Sequence, residues 1–235
     1  LGVMVLFVLI VYFALISTKK AEQNKVWVGL SKETAHQLGT PISSLMAWMD
    51  LLESSGVDPS LLSDMNKDVN RLSVIAERFS KIGSKPEMEL IYVNEVLENA
   101  TEYMRRRVSD KVLITTHLPS DAEGAMVCLS LFEWVIENLC KNAVDAMNGE
   151  GRIDVYMTSE KQQIYIDIKD TGKGIARKNF KTVFNPGYTT KKRGWGLGLT
   201  LAKRIIEDYH AGRIYVKDSE VGKGTTFRIE LKRVV

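Results

Sequence analysis

The side chain best suited to nucleophilic chemistry lies in a short polar stretch at residues 32–41. This stretch holds His36, one of three histidines, and a neutral imidazole can accept a phosphoryl group. His36 lies off a heptad seam, so we predict that it faces solvent with Thr40 one turn further on the same face. A surface histidine near a helix bend at Pro41 is the simpler alternative. The seam consists of Leu38, Ile42, Leu45, Met49 and Leu52.

Two amphipathic helices are predicted to carry this histidine. The first covers about residues 21–53, and the second begins near Pro59, after a turn that Asp58 or Ser60 would cap. A hairpin of this length cannot bury both apolar faces alone, whereas a second copy would complete a four-helix bundle. We therefore predict a helical-hairpin dimerisation and phosphotransfer domain at residues 18–83, a homodimer, and a linker at residues 84–90.

The first 16 residues contain no charge and almost no polar group. We expect residues 1–17 to be the inner end of a transmembrane helix, which needs roughly 20 apolar residues. The alternatives are a signal peptide and a buried core helix. A signal peptide would have a basic start and a small-residue cleavage site, and a core helix would show a polar face, but this stretch has none of these features. Lys19, Lys20 and Lys25 then predict a cell (inner) membrane location with the rest of the chain in the cytoplasm.

The second half has a different pattern, with alternating apolar strands and three helices. It predicts an α+β fold in which helices cover one face of a mixed sheet, an α/β sandwich at residues 91–235. The net charge of +3 is too small to indicate nucleic-acid binding, and two cysteines suggest neither a disulfide framework nor a metal site. Helices are predicted at residues 94–108, 131–147 and 199–209, and strands at residues 112–117, 125–129, 153–157, 164–169, 214–216 and 225–231.

Two glycine-rich stretches lie beside predicted elements: residues 170–175 follow the strand predicted at residues 164–169, and residues 194–199 open the helix predicted at residues 199–209. Glycines there let backbone amides approach phosphate oxygens. Neither stretch has the spacing of a dinucleotide fingerprint or a Walker loop, and residues 222–225 are interpreted as a hairpin turn. Each cluster alone is explained equally well by a tight turn.

Asn138 and Asn142 lie one turn apart on the helix predicted at residues 131–147. A carboxamide oxygen is a suitable ligand for Mg²⁺, which takes its other ligands from water and phosphate. Two surface asparagines without a ligand are the structural alternative.

Taken in order, these motifs resemble the sensor histidine kinases of two-component signalling, with their Bergerat-type ATP-binding fold. The resemblance covers nearly the whole chain after Lys20, and several motifs in the correct order are more specific than any one of them. The motifs are His36 with Thr40 and Pro41, residues 138–143, residues 170–174, Phe180 and Phe184, residues 194–199, and Gly224 with Thr225.

The resemblance implies that His36 takes the γ-phosphoryl group of ATP and passes it to an aspartate of a response regulator receiver domain. It implies Asn142 as the Mg²⁺ ligand, Asn138 as its support, and Asp170 as acceptor of a hydrogen bond from the adenine amino group. Gln37 would position the ring, and Gln37 and Thr40 together would orient a water that dephosphorylates the regulator.

The remaining implied contacts surround the nucleotide. Residues 180–193 would form a lid whose basic side chains reach the phosphates, although each is explained equally well as part of a solvated charge run. The implied ATP contacts are Gly172, Gly174, Lys191, Lys192, Arg193, Gly194, Gly196, Leu197, Gly198 and, beside the adenine, Thr225.

One residue departs from the family. Gln37 stands where members commonly carry an acidic residue, so Glu33, three residues before His36, is a candidate for the missing carboxylate. The alternative is that Glu33 is solvated and Gln37 alone positions the ring, at some loss of rate. Two other functions remain open: an ATP-driven clamp, since chaperone, mismatch-repair and topoisomerase ATPases share this fold, and an ATP-binding membrane dimer that only relays conformation. Asn138 replaces the glutamate that activates water in the clamp ATPases, which argues against the first of them.

Overall fold

The computed structural model describes residues 2–82, 84, 86–191 and 196–234. The chain divides into two compact units, Leu1–Pro86 and Glu87–Val235.

The first unit is a helical hairpin. Helix α1 runs from Gly2 to Ser54 without interruption at Pro41, and α2 runs from Pro59 to Ile82. The Asp58 carboxylate caps α2 by accepting a hydrogen bond from the backbone amide of Ser60 at 2.9 Å. The hairpin confirms both predicted helices, although α1 starts well before residue 21.

The hairpin buries only part of its apolar surface. Ile42 and Met49 of α1 pack with Val69 and Ala76 of α2, and Leu38 lies against this cluster. Other large apolar side chains of both helices are 37–47% exposed, namely Leu45, Leu52, Met65, Leu72 and Ile75. The seam predicted from the heptad spacing is therefore only half covered within one chain.

Among the helices in the described part of the chain, none has an apolar stretch long enough to span a bilayer. The predicted membrane-spanning end at residues 1–17 is therefore not confirmed.

The second unit is the predicted α+β fold. Its five-stranded sheet has the order β2-β4-β5-β7-β6, with β2 and β4 parallel and the other neighbours antiparallel. The strands are β2 (Val112–His117), β4 (Gly151–Glu160), β5 (Gln163–Asp170), β6 (Arg213–Glu220) and β7 (Gly224–Lys232).

One face of the sheet is buried under helices α3 (Val93–Arg105), α4 (Leu129–Ala146) and α5 (Gly198–Arg204). Strand β5 shows why: Ile164, Ile166 and Ile168 are at most 1% exposed, and the residues between them face the other side. The helices at the predicted positions and this alternation confirm the sandwich.

Three local features differ from the predictions. Strand β1 (Glu89–Tyr92) begins inside the predicted linker and pairs with β3 (Gly124–Val127) in a separate two-stranded sheet. Strand β4 extends to Glu160, so the turn before β5 is shorter than expected. Both differences arise from cross-strand pairing, which a single stretch of sequence does not reveal.

The helix predicted at residues 199–209 also differs. It ends as an α-helix at Arg204 and continues as a π-helical turn, Ile205–Tyr209. His210 explains this ending, because its amide bonds the Ile205 carbonyl at 3.2 Å and its Nδ1 lies 2.7 Å from the same oxygen. Its Nε2 accepts a hydrogen bond from the Cys128 amide, and burial lowers the pKa of His210. This neutral imidazole fixes the end of the helix that follows the second glycine-rich stretch.

Candidate active site

The predicted phosphoryl acceptor lies on an exposed face of α1. The side chains of His36, Gln37 and Thr40 are all exposed, as predicted for His36. Thr40 Oγ1 donates to the His36 carbonyl at 3.4 Å, and Gln37 Nε2 donates to Glu33 Oε1 at 2.7 Å. The carboxylate considered as a partner for His36 is therefore hydrogen-bonded to Gln37.

Asp170 ends β5 as a buried carboxylate, 3% exposed. Its Oδ1 accepts hydrogen bonds from the amides of Gly172 at 2.8 Å and Thr225 at 3.3 Å. Burial raises the pKa of Asp170, and the two amides partly oppose that rise. Because both bonds from described residues go to Oδ1, Oδ2 keeps its capacity to accept a hydrogen bond from a ligand amino group.

Asp170→Asn should weaken nucleotide binding by about tenfold or more, because a hydrogen bond to a charged group is worth roughly 1.5–3 kcal/mol. The melting temperature should stay the same or rise. The pKa of Asp170 is higher in the folded chain than in the unfolded chain, so ionisation of this carboxyl lowers the free energy of unfolding. This loss of stability develops as the pH rises through the folded pKa and is present at neutral pH. Asparagine carries no charge and avoids the loss.

Calorimetric titration with ATP and thermal unfolding of the same samples test this expectation, with the exposed Asp218→Asn as control. Unchanged ATP affinity in Asp170→Asn would show that the amino group of adenine is recognised elsewhere.

Glycines let the loop after Asp170 pack closely against the β6–β7 turn. Gly174 has φ +70°, and a Cβ there would lie 2.1 Å from the Glu220 carbonyl oxygen. Gly224 has φ +123°, and a Cβ there would lie 1.9 Å from the Asp170 carbonyl oxygen. Residues 221–223 connect β6 to β7, and Gly224 and Thr225 begin β7, so the hairpin-turn interpretation is confirmed.

The start of α5 is fixed by α4. Asn138 Nδ2 donates to the Gly198 carbonyl at 2.7 Å, and a Cβ on Gly198 would lie 2.7 Å from Asn138 Oδ1. The Asn138 carboxamide therefore connects α4 to the second glycine-rich stretch, and its implied support of a Mg²⁺ site stays a prediction. Leu197 lies directly before α5, and Gly196 accepts a hydrogen bond from the Gly187 amide at 3.2 Å.

Asn142 and Lys191 are brought together although they lie far apart in sequence. Lys191 Nζ donates to Asn142 Oδ1 at 3.1 Å and also contacts the Asp145 carboxylate. Asn142 Oδ1 therefore accepts a hydrogen bond from an ammonium group, and a carboxamide oxygen is of the donor type that Mg²⁺ takes. The described residues contain no cluster of three or more His, Cys, Asp or Glu side chains, so a metal here would depend on Asn142, water and phosphate oxygens.

Some predicted site residues lie outside the described part of the chain, namely Lys192, Arg193 and Gly194. Thr225 is buried directly opposite Asp170 in the β5–β7 pair, and Phe184 is buried edge-to-face with Phe227. The roles assigned to these residues stay predictions.

Two residues of the site were missed by sequence reasoning. Ser219 Oγ accepts from the Ile175 amide at 2.7 Å and lies 2.9 Å from Thr225 Oγ1, so it connects the first glycine-rich loop to β7. Asp145 is the carboxylate that holds Lys191. The only available signal was the position of Asp145, one turn beyond Asn142 on the same helix.

Comparison of the sequence with known proteins finds histidine kinases and related ATPases. Residues 129–235 match the family described as histidine kinase-, DNA gyrase B- and HSP90-like ATPase. Sporulation kinase A of Bacillus subtilis (strain 168) is 26% identical over 220 residues, covering 91% of this chain and 36% of that protein. Sensor histidine kinase ZraS of Salmonella typhimurium is 26% identical over 226 residues, covering 92% of this chain and 48% of that protein.

Solved structures share the fold. Full-length ShkA in complex with AMPPNP has a TM-score of 0.67 and 19% identity, covering 88% of this chain and 46% of that one. Histidine kinase ThkA in complex with response regulator protein TrrA has a TM-score of 0.60 and 19% identity, covering 95% of this chain and 66% of that one. The chain spans between 29% and 50% of the length of four curated relatives that it matches.

Proposed function

We propose that this chain, which belongs to the histidine kinase family of ATP-binding proteins, phosphorylates its own His36 from ATP and passes the group to an aspartate of a response regulator. The observation that carries the proposal is the Asp170 carboxylate, buried among backbone amides with one oxygen left to accept from adenine. It lies within an ATPase domain of a chain that also presents an exposed histidine on a helical hairpin.

The chemistry assigned to the protein is mainly positioning. An imidazole nitrogen of His36 attacks the γ-phosphorus in line, the nitrogen–phosphorus bond forms, the bond to ADP breaks, and the ring loses a proton. Asp170 and the loop after it orient the adenine, and Asn138 fixes the start of α5. Asn142 would hold Mg²⁺, which when bound neutralises phosphate charge.

The two other functions are less well supported. The Asn138 carboxamide is used to bond the Gly198 carbonyl and is not a base, so it does not activate water for a hydrolytic clamp. A conformational relay would need neither the exposed His36 nor a metal ligand, and Asn142 presents its oxygen to a cation. The named relatives that cover nine-tenths of the chain are kinases.

Transfer of radiolabel from γ-labelled ATP tests the proposal. We expect an acid-labile, alkali-stable label on the parent chain and none on His36→Gln. The matched control is His117→Gln, which removes a partly exposed histidine of the ATP-binding domain. Subsequent addition of a receiver domain should remove the label from His36.

The alternatives give different results in the same assay. ATP hydrolysis without label on the chain would indicate a clamp ATPase. Nucleotide binding without label or hydrolysis would indicate a relay. Label that persists in His36→Gln would place the acceptor elsewhere.

The partners follow from the same proposal. ThkA was solved with a response regulator, and we assign a partner of that class to this chain. The exposed apolar half of the seam, including Leu45, Leu72 and Ile75, supports a homodimer in which a second copy completes a four-helix bundle. Light scattering should give twice the 26.5 kDa mass of one chain.

We also assign the chain to the inner membrane, with its catalytic part in the cytoplasm. Apolar side chains near the start of α1, such as Met4 and Phe7, are 73% and 67% exposed, and lysines follow at positions 19, 20 and 25. Recovery of the chain in the membrane fraction after lysis checks this assignment.

A further inference from the structure

We propose that Asp145 and Lys191 form a latch in which the Lys191 ammonium occupies the position on Asn142 Oδ1 that Mg²⁺ would take, and leaves it when metal and nucleotide bind. The latch deepens the proposed kinase function and rests on it, because it regulates the same metal ligand. It makes Asp145 a positioning residue that acts through Lys191.

The latch is built from three side chains of two distant segments. Asn142 and Asp145 lie one turn apart on α4, and Lys191 comes from the segment that follows Phe184. The ammonium donates to Asn142 Oδ1 at 3.1 Å and pairs with the Asp145 carboxylate. Lys191 and Asp145 are 39% and 40% exposed, so the ion pair is partly shielded and can still exchange with solvent.

A second contact holds the same segment. Lys173 Nζ, in the loop after Asp170, donates to Thr190 Oγ1 at 2.8 Å, and the Lys191 amide donates to Thr189 Oγ1 at 3.1 Å. The backbone beside Lys191 is therefore oriented between the first glycine-rich loop and α4. Its ammonium reaches Asn142 from a fixed starting point, which lowers the entropy cost of the contact.

Competition follows from simple electrostatics. Mg²⁺ binds oxygen at about 2.0–2.1 Å, and an ammonium on the same carboxamide oxygen would leave two cations a few ångströms apart. Mg²⁺ and Lys191 therefore exclude each other at Asn142 Oδ1. Lys191 must leave before a metal–nucleotide complex binds, and the Asp145 carboxylate determines how readily it leaves.

The first test measures Mg²⁺-dependent ADP binding by the full chain, because ADP lacks the transferable phosphate. Asp145→Asn frees the Lys191 ammonium without removing it and should lower the half-saturating Mg²⁺ concentration by about two- to fivefold, the scale of a partly exposed ion pair. This lowering should disappear in the Lys191→Met background, where no ammonium occupies Asn142 Oδ1. Lys141→Met and Glu150→Gln remove the same charges from exposed positions nearby and serve as controls.

The second test needs no nucleotide. Acetylation of the nucleotide-free chain, measured by mass spectrometry, should modify Lys191 more slowly than Lys141, an exposed lysine of α4. Asp145→Asn should raise the Lys191 rate about two- to fivefold while the Lys141 rate stays constant.

The two measurements separate failure of the latch from failure of the kinase assignment. A half-saturating Mg²⁺ concentration that is unchanged or raised in Asp145→Asn overturns the latch, as does a Lys191 acetylation rate that does not respond to Asp145→Asn. Absence of ADP binding in the parent chain overturns the proposed function, and the latch as a regulator of that site falls with it.

Discussion

Replacing Asn142 with alanine is expected to abolish magnesium-dependent phosphorylation of His36 while the chain keeps its thermal unfolding transition. Asn142 supplies the carboxamide oxygen that already accepts a cation, and the described residues offer no acidic cluster as a substitute. Metal neutralisation of a transferring phosphoryl group is worth several kcal/mol, so the rate should fall by about 10²-fold or more.

The stability of Asn142→Ala should change little, because the side chain is only half-buried and its one side-chain hydrogen bond within the described residues goes to an exposed lysine. Lys191 keeps its ion pair with Asp145 in this variant. Asn142→Asp restores an oxygen ligand and should recover part of the rate. Asn99→Ala, an exposed asparagine of α3, controls for loss of a helix-surface carboxamide.

The initial rate of label transfer at saturating ATP, measured over a range of Mg²⁺ concentrations, decides this expectation. A rate in Asn142→Ala within about threefold of the parent, far below the scale of metal catalysis, would remove Asn142 from the metal site. Loss of the thermal transition would instead show that its role is structural.

Much of the fold was predictable because its helices and strands follow the periodic spacing of apolar residues and end at turn-forming residues. Strand β2 matches the predicted residues 112–117, and α4 begins within two residues of the prediction, since both carry a clear apolar pattern. The π-helical end after Arg204 was not predictable, because it depends on His210 bonding Ile205 and Cys128, and Cys128 is 82 residues away in sequence.

The site residues likewise divide into those that the sequence predicted and those that it did not. Asp170, Asn138 and Asn142 belong to local motifs, so the sequence was enough to propose them. Ser219 and the pairing of Lys191 with Asp145 depend on how separate segments meet. A serine on a strand and a lysine in a charge run have no local signal that distinguishes them from ordinary surface residues.

The largest gain in rate is expected from Gln37→Glu. Gln37 is adjacent to His36 and orients its carboxamide by donating to Glu33 at 2.7 Å, but it cannot take a proton from the imidazole. A glutamate at this position supplies the missing base, and general-base catalysis is typically worth on the order of 10²-fold. Two carboxylates four residues apart on an exposed helix cost only a few tenths of a kcal/mol, so the helix should tolerate the change.

Variants at Glu33 separate orientation of the ring from proton removal. Glu33→Gln keeps an oxygen that accepts from Gln37 Nε2 but removes the carboxylate, whereas Glu33→Ala removes both. If Glu33 takes the proton, Glu33→Gln lowers the autophosphorylation rate in the parent and leaves it unchanged in Gln37→Glu, where the new carboxylate replaces it. If Glu33 only orients Gln37, Glu33→Ala lowers the rate and Glu33→Gln does not.

Initial rates of His36 labelling distinguish these cases, with the exposed Glu53→Gln at the other end of α1 as a charge-matched control. A Glu33→Gln rate within about twofold of the parent, well below the scale of general-base catalysis, shows that Glu33 takes no part in proton transfer. A Gln37→Glu rate no higher than that of the parent would show that proton removal does not limit the proposed autophosphorylation, and the amide beside His36 would then be free to serve dephosphorylation of the regulator.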